Sequence, residues 1–214
     1  NNIEYPFLCF LLTGGHTQIY LVKSIDNYEL IGDSLDDAIG EAFDKVAKLI
    51  GMSYPGGAEI EKLSKYGDEN SIQLPHPLKK NRDLNFSFSG IKTAISLIIK
   101  KQNTINDKFK YNLSASFQKT VTEILEKKFL LSLEYLDNKN INIKQVALVG
   151  GVASNQYIYK KIKDLSLKKN VSIIVPPNNM LSDNAAMIGW ACLQKLKTKK
   201  IDDLFFRENP RLSI

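Results

Sequence analysis

The sequence has few of the residues that carry the commonest site chemistries, and no long apolar run. It has two cysteines, two histidines and one tryptophan, and nothing near the ~20 consecutive apolar residues that cross a bilayer. Cys9 and Cys192 sit at opposite ends in apolar surroundings. They exclude a disulfide scaffold and a closely spaced zinc site, and read as buried thiols of a reducing compartment. His16 and His76 cannot form an H-E-x-x-H zinc-protease helix, and no Ser-His-Asp arrangement is evident. No charged-then-apolar leader opens the chain, and no repeat or low-complexity linker interrupts it.

What is present is an ordinary globular composition: 214 residues, 43% hydrophobic and 24% charged. That length can bury a substantial core. The net charge of +6 comes mostly from lysine, with clusters at Lys79, Lys80 and Arg82 and at Lys195, Lys197, Lys199 and Lys200. A polyanionic partner and a solvated lysine surface account for it about equally well. Asn1 is not an initiator methionine and a strand pattern starts within a few residues, so the chain reads as a piece of something longer.

Hydrophobic patterning gives the order of elements. Residues 6–13 form an apolar strand ended by Gly14–Gly15, and 18–23 and 28–31 continue an antiparallel meander. Helical spacing follows over 36–50, with Ser34 or Asp36 as candidate caps. Residues 52–143 read as a helical insertion whose longest helix spans 109–136. Alternating order resumes with a buried strand at 145–149, a glycine turn, a helix to about 165, a strand at 171–175 and a closing helix from about 182 to 196. Strand, strand, strand, helix, insertion, strand, helix, strand, helix is the order of an α/β ribonuclease-H-like lobe of the actin-like (ASKHA) ATPase fold. On that basis 1–51 with 144–214 form the lobe and 52–143 an inserted helical subdomain. Such an order predicts a nucleotide at the strand ends, against the first hairpin turn and the helix N-termini.

Two glycine turns flank that position. In Thr13–Gly14–Gly15–His16–Thr17 the glycines let backbone N–H groups approach an anion, with hydroxyls and an imidazole beside them; a plain hairpin turn explains the same residues. Gly150–Gly151–Val152–Ala153–Ser154–Asn155 runs from a strand into a helix. It suits either an anion at the helix N-terminus or simple capping by Ser154 or Asn155. It matches neither a Walker loop nor a dinucleotide fingerprint. Asp183, opening the last helix, is either an N-cap or one oxygen ligand of a divalent metal, which would need further ligands from elsewhere. Among the acids of the first helix and just beyond, Asp44 and Glu61 are placed for ribose hydroxyls, because Gly56–Gly57 folds the chain back beside them.

Four segments, TGGHTQ, LDDAIGEAFDKVAKLIGMSYPGG, FSFSGIKTA, and GGVASN with SDNAAM, resemble the bacterial TsaD (Gcp, YgjD) family of tRNA N6-adenosine threonylcarbamoyltransferases from about Phe7 to Leu193. The resemblance implies transfer of threonylcarbamoyl from threonylcarbamoyl-AMP to N6 of the adenosine 3′ of the anticodon. Leu11, Leu12, Thr13, Gly14 and Gly15 would meet the adenylate phosphate, and Asp44, Gly57, Glu61 and Asn155 would hold its adenosine. His16 and Asp183 would be catalytic residues, His16 contacting the phosphate or the metal's outer ligands and Asp183 binding one divalent metal, Fe2+ by resemblance with Zn2+ or Mg2+ as alternatives. ATP or ADP could stand in for the donor nucleotide. Relatives carry a two-histidine metal motif in an N-terminal lobe, which this chain lacks, so the fragment alone is expected to be inactive.

Implied partners are tRNA, a TsaB-like paralogous subunit and a TsaE-like ATPase, with no membrane. The implied location is the bacterial cytoplasm, with a mitochondrial or plastid matrix second. A non-catalytic scaffold lobe, or an actin-fold ATPase or kinase, are the rival expectations.

Overall fold

The computed structural model describes residues 3–198. Five strands form one sheet in the order β3-β2-β1-β4-β5. Strands β1 (Phe7–Leu12), β2 (Thr17–Ser24) and β3 (Asn27–Gly32) are the antiparallel meander. Strand β4 (Gln145–Val149) joins parallel to β1, and the short β5 (Ser172–Ile174) parallel to β4. The helices are α1 (Ile39–Leu49), α2 (Gly56–Ser64), α3 (Ser89–Lys100), α4 (Asp107–Asn138), α5 (Gln156–Lys168) and α6 (Ala185–Lys197).

Side chains alternate across the strands and give the sheet two unequal faces. Leu8, Phe10, Leu12, Ile19, Leu21, Val146 and Leu148 point into one large core shared with α1, α2, α4 and α5. Phe7, Val22 and Ala147 form a thin cluster on the other face, with Cys9, Tyr20 and Val149 partly buried against it. Cys9 is half-buried there, and burial pushes its thiol up to about 12, so it stays protonated. Cys192, expected to be buried, is exposed on α6.

The 52–143 segment shares the sheet's core. Helix α4, 32 residues and about 48 Å long, lies against the covered face, with Phe129 6.0 Å from Phe10 and Phe117 edge-on to Phe43 at 4.9 Å. Because α4 is wrapped on several sides, it buries polar residues as well as apolar ones. Thr120, Thr122 and Ser132 satisfy their hydroxyls by donating to the carbonyls four residues back. Lys128 is 1% exposed and donates to the carbonyl and carboxylate of Asp83. Its neighbour Lys127 donates to the carbonyls of Leu78, Lys79 and Asn81. Two adjacent lysines thus tie down a loop that has no regular structure of its own.

Helix α1 starts at Ile39 rather than 36, and neither expected residue caps it. The N-cap is Ala38, and Ile39 N–H donates 2.7 Å to the hydroxyl of Thr17 from β2. Asp36 is drawn away to the FSFSG segment, where it accepts from Ser87 Oγ, Phe88 N–H, Ser89 N–H and Ser89 Oγ. Burial raises the Asp36 carboxyl, but these four donors outweigh it and hold the group below its ordinary value. Helix α6 is largely apolar in sequence yet unburied: Ile188, Trp190 and Leu193 are 54–64% exposed.

Candidate functional site

A cavity of about 330 Å3 opens where the ends of β1 and β4 meet α1, α2 and α5, and three close backbone approaches shape it. Gly40 N–H donates 3.1 Å to Thr13 O, so the 13–16 turn docks on the first turn of α1. A Cβ on Gly40 would sit 2.7 Å from that carbonyl and 2.8 Å from Gly14 Cα, so only glycine permits this approach. Gly150, at φ 94°, passes so close to Leu12 that a side chain would overlap its carbonyl. At α2, Gly56 N–H donates 2.8 Å to Asp44 Oδ1, holding the Tyr54–Pro55–Gly56–Gly57 turn over α1.

Of the residues singled out in the sequence, Gly14, Asp44, Gly57, Glu61 and Asn155 line this cavity together, although up to 141 positions separate them. Phe43, Gly40, Tyr54, Ala58 and Ser154 line it as well. Tyr54, 84% exposed at the rim, was not singled out. The signal for it was the aromatic residue next to the Pro-Gly-Gly turn.

The carboxylates are half used. Glu61 Oε1 accepts from Gln156 N–H at 2.8 Å, and Asp44 Oδ1 from Gly56, which leaves each a second oxygen for a hydroxyl donor. Asn155 is 6% exposed; its Oδ1 caps α5 by accepting from Ile158 N–H, and its Nδ2 donates to Gln118 Oε1. Gln118 in turn donates to Ser64 Oγ. A buried polar chain therefore links α2, α4 and α5 beneath the cavity, and one N–H of Asn155 remains for a ligand.

The remaining candidates lie elsewhere. Leu12 is buried in the core, and Leu11 lines a groove on the opposite face, so only their backbones face the strand end. Thr13 Oγ1 accepts from Gly15 N–H at 3.1 Å and His16 N–H at 2.8 Å. These two donors converge on a single oxygen, supplied here by the turn itself. The His16 side chain is exposed outside the cavity. Asp183 is exposed and caps nothing, because Asn184 caps α6 through Met187 N–H.

No cluster of three or more His, Cys, Asp or Glu that could hold a metal occurs among the described residues. Asp183 with its described neighbours does not make a metal site by itself, because a single carboxylate supplies too few ligands. Of the basic clusters, Arg82 pairs with Glu134, Lys79 and Lys80 are exposed, and Lys199 and Lys200 lie outside the described residues.

The sheet and the cavity at its strand ends define a mixed α/β domain with helices flanking a central sheet. Residues 1–190 match TsaD, tRNA N6-adenosine threonylcarbamoyltransferase, and the chain belongs to that family. Curated relatives carrying the same description include one from Thermosipho africanus, 43% identical across all of this chain and 63% of its own length. Another, from Pelagibacter ubique, is 42% identical over 99% of this chain and 59% of its own. The chain thus spans about three-fifths of the length of these relatives. A crystal structure of full-length HypF in its phosphate- and nucleotide-bound form superposes at a TM-score of 0.60 and 16% identity. The match covers 83% of this chain and 31% of that one, a likeness of fold alone.

Proposed function

We propose that this chain is the donor-holding part of an enzyme that moves threonylcarbamoyl from threonylcarbamoyl-AMP to N6 of the adenosine 3′ of the tRNA anticodon. The observation that carries it is the meeting of Asp44, Gly57, Glu61 and Asn155 on one cavity beside Gly14, in a chain of this family. We read the domain more finely as a ribonuclease-H-like lobe of the actin-like fold, with 52–143 as its insertion.

The chemistry of the lining supports an adenylate. Asp44 and Glu61 each offer an oxygen to ribose hydroxyls, and Phe43, Ala58 and the glycines offer an apolar bed for a base. No lysine or arginine lines the cavity among the described residues, so the lining suits one phosphate at the 13–16 turn better than a triphosphate in its middle. The donor is a mixed anhydride that carries its own leaving group, so catalysis asks for orientation more than for a nucleophile. Backbone N–H groups that already converge on one oxygen at Thr13 would serve the departing phosphate. His16, beside that turn, and Asp183, toward a divalent metal completed by ligands from beyond this chain, keep the roles that the family resemblance gives them. TsaB-like and TsaE-like partners and a cytoplasmic setting extend the same proposal.

The test uses the full-length protein with its partners, the donor-forming enzyme, tRNA, threonine, bicarbonate and ATP. Mass spectrometry of digested tRNA should report threonylcarbamoyladenosine. Absence of that nucleoside from a folded, fully partnered assembly would overturn the proposal.

A further inference from the structure

Helix α5 carries a concentration of charge that the cavity does not use. Between Gln156 and Lys169 there are five lysines (Lys160, Lys161, Lys163, Lys168 and Lys169) and one acid, Asp164, a net +4 out of the chain's +6. All five are exposed, while Ile158, Ile162 and Ser166 on the opposite side are buried and fix the helix's rotation. None of the five forms an ion pair among the described residues, whereas Lys45, Lys92, Lys119 and Lys139 on other helices do.

The acids facing α5 come from its neighbours. Lys161 and Lys168 lie near Glu126 of α4; burial, the larger cause, raises that carboxyl, Glu123 raises it further, and the two lysines pull it down. Lys160 shares a second cavity with Glu61, Glu69 and Lys65. Positive charge therefore grows from the second turn of the helix onward. Lys161 lies 5.4 Å over the Tyr157 ring and Lys163 5.5 Å over Tyr159, which narrows the positions of both ammonium groups.

The position of this face sets it apart from an ordinary solvated surface. The N-cap of α5 is Asn155, a lining residue of the cavity, and its first N–H is held by Glu61, another. From there the helix runs about 20 Å away from the cavity. A nucleic acid following it would bind by phosphate contacts that position it without reading its sequence, leaving the choice of adenosine to the cavity.

We infer that the lysine face of α5 is the docking surface for the phosphate backbone of the RNA acceptor, leading the target adenosine to the cavity at the helix's start. This rests on the proposed transferase function.

The experiment compares the full-length protein, in its assembly, with a Lys160→Gln/Lys161→Gln/Lys163→Gln variant and with a control of equal charge change, Lys100→Gln/Lys101→Gln/Lys108→Gln. The probe is fluorescently labelled, unmodified tRNA transcript, titrated at several salt concentrations. The α5 variant is expected to bind roughly tenfold more weakly at low salt, with the slope of log K against log salt reduced by about 2. Its KM for tRNA should rise while KM for the donor and the melting temperature hold; the control should match wild type.

Unchanged binding and slope in the α5 variant, with wild type still modifying tRNA, would overturn the docking surface alone. Equal losses in variant and control would overturn it in favour of a diffuse field. Loss of a protein subunit from the assembly without a change in RNA affinity would overturn it in favour of a protein-docking face. Wild type that neither binds nor modifies tRNA would overturn the transferase reading beneath it.

Discussion

The covered face of the sheet and the closing helix α6 are both built from apolar sequence, yet they end in opposite environments. Phe43, Phe86, Phe88, Phe117 and Phe129 are each 0–1% exposed in one continuous core. Trp190 and Ile188 of α6 are 63% and 64% exposed. The covered face fixes backbone geometry: Gly40, Gly56 and Gly150 hold the turns of the cavity at distances set by packing beneath them. Helix α6 fixes nothing of that kind, and the one metal-ligand candidate, Asp183, stands at its entrance. The cavity proposed for the donor is thus a property of the packed body, while any metal role for Asp183 depends on ligands beyond the described residues.

Mutations should separate the two regions sharply. The largest effect is expected for Phe117→Ala, which removes the ring under Phe43 and should cost about 3–5 kcal/mol in urea unfolding of this chain. A loss below 1 kcal/mol would mean that the covered face is loosely packed. Asn155→Ala should cost about 1–3 kcal/mol, because it removes the α5 cap and leaves buried Gln118 without its donor. The smallest effect is expected for Trp190→Ser, within about 0.5 kcal/mol in the same chain. Destabilisation beyond 1 kcal/mol would show α6 docked in solution and erase the contrast.

The order of elements along the chain and the meander were legible in the sequence, because β1, β2 and β4 are short apolar runs punctuated by glycine; the parallel pairing of β4 with β1 was not. The meeting of Asp44 with Gly56 was also legible, because a Pro-Gly-Gly turn twelve residues on can only fold back. Long-range polar contacts were not. Thr17 caps α1 from 22 residues away, and Asp36 anchors a segment more than 50 residues away. Both acts depend on a tertiary approach that no local pattern encodes. Lys128 reads as surface by residue type, yet its position shares the buried stripe of Val121, Leu125 and Ser132, and α4 buries it against Asp83. Conversely, α6 carries a core-like apolar sequence that nothing among the described residues buries, since apolar content reports what a helix could bury and not what is there to cover it.

The central claim, that Asp44 and Glu61 hold an adenosine, is tested most directly by titrating AMP into the full-length protein and into an Asp44→Asn/Glu61→Gln variant by calorimetry. The amide oxygens can still accept from Gly56 and Gln156, so the fold and melting temperature should hold. Affinity should fall about 10- to 100-fold as the charged acceptors for the ribose hydroxyls are lost. Equal or tighter AMP binding by the variant would contradict the account, because it would show the two carboxylates repelling the phosphate more than they hold the ribose.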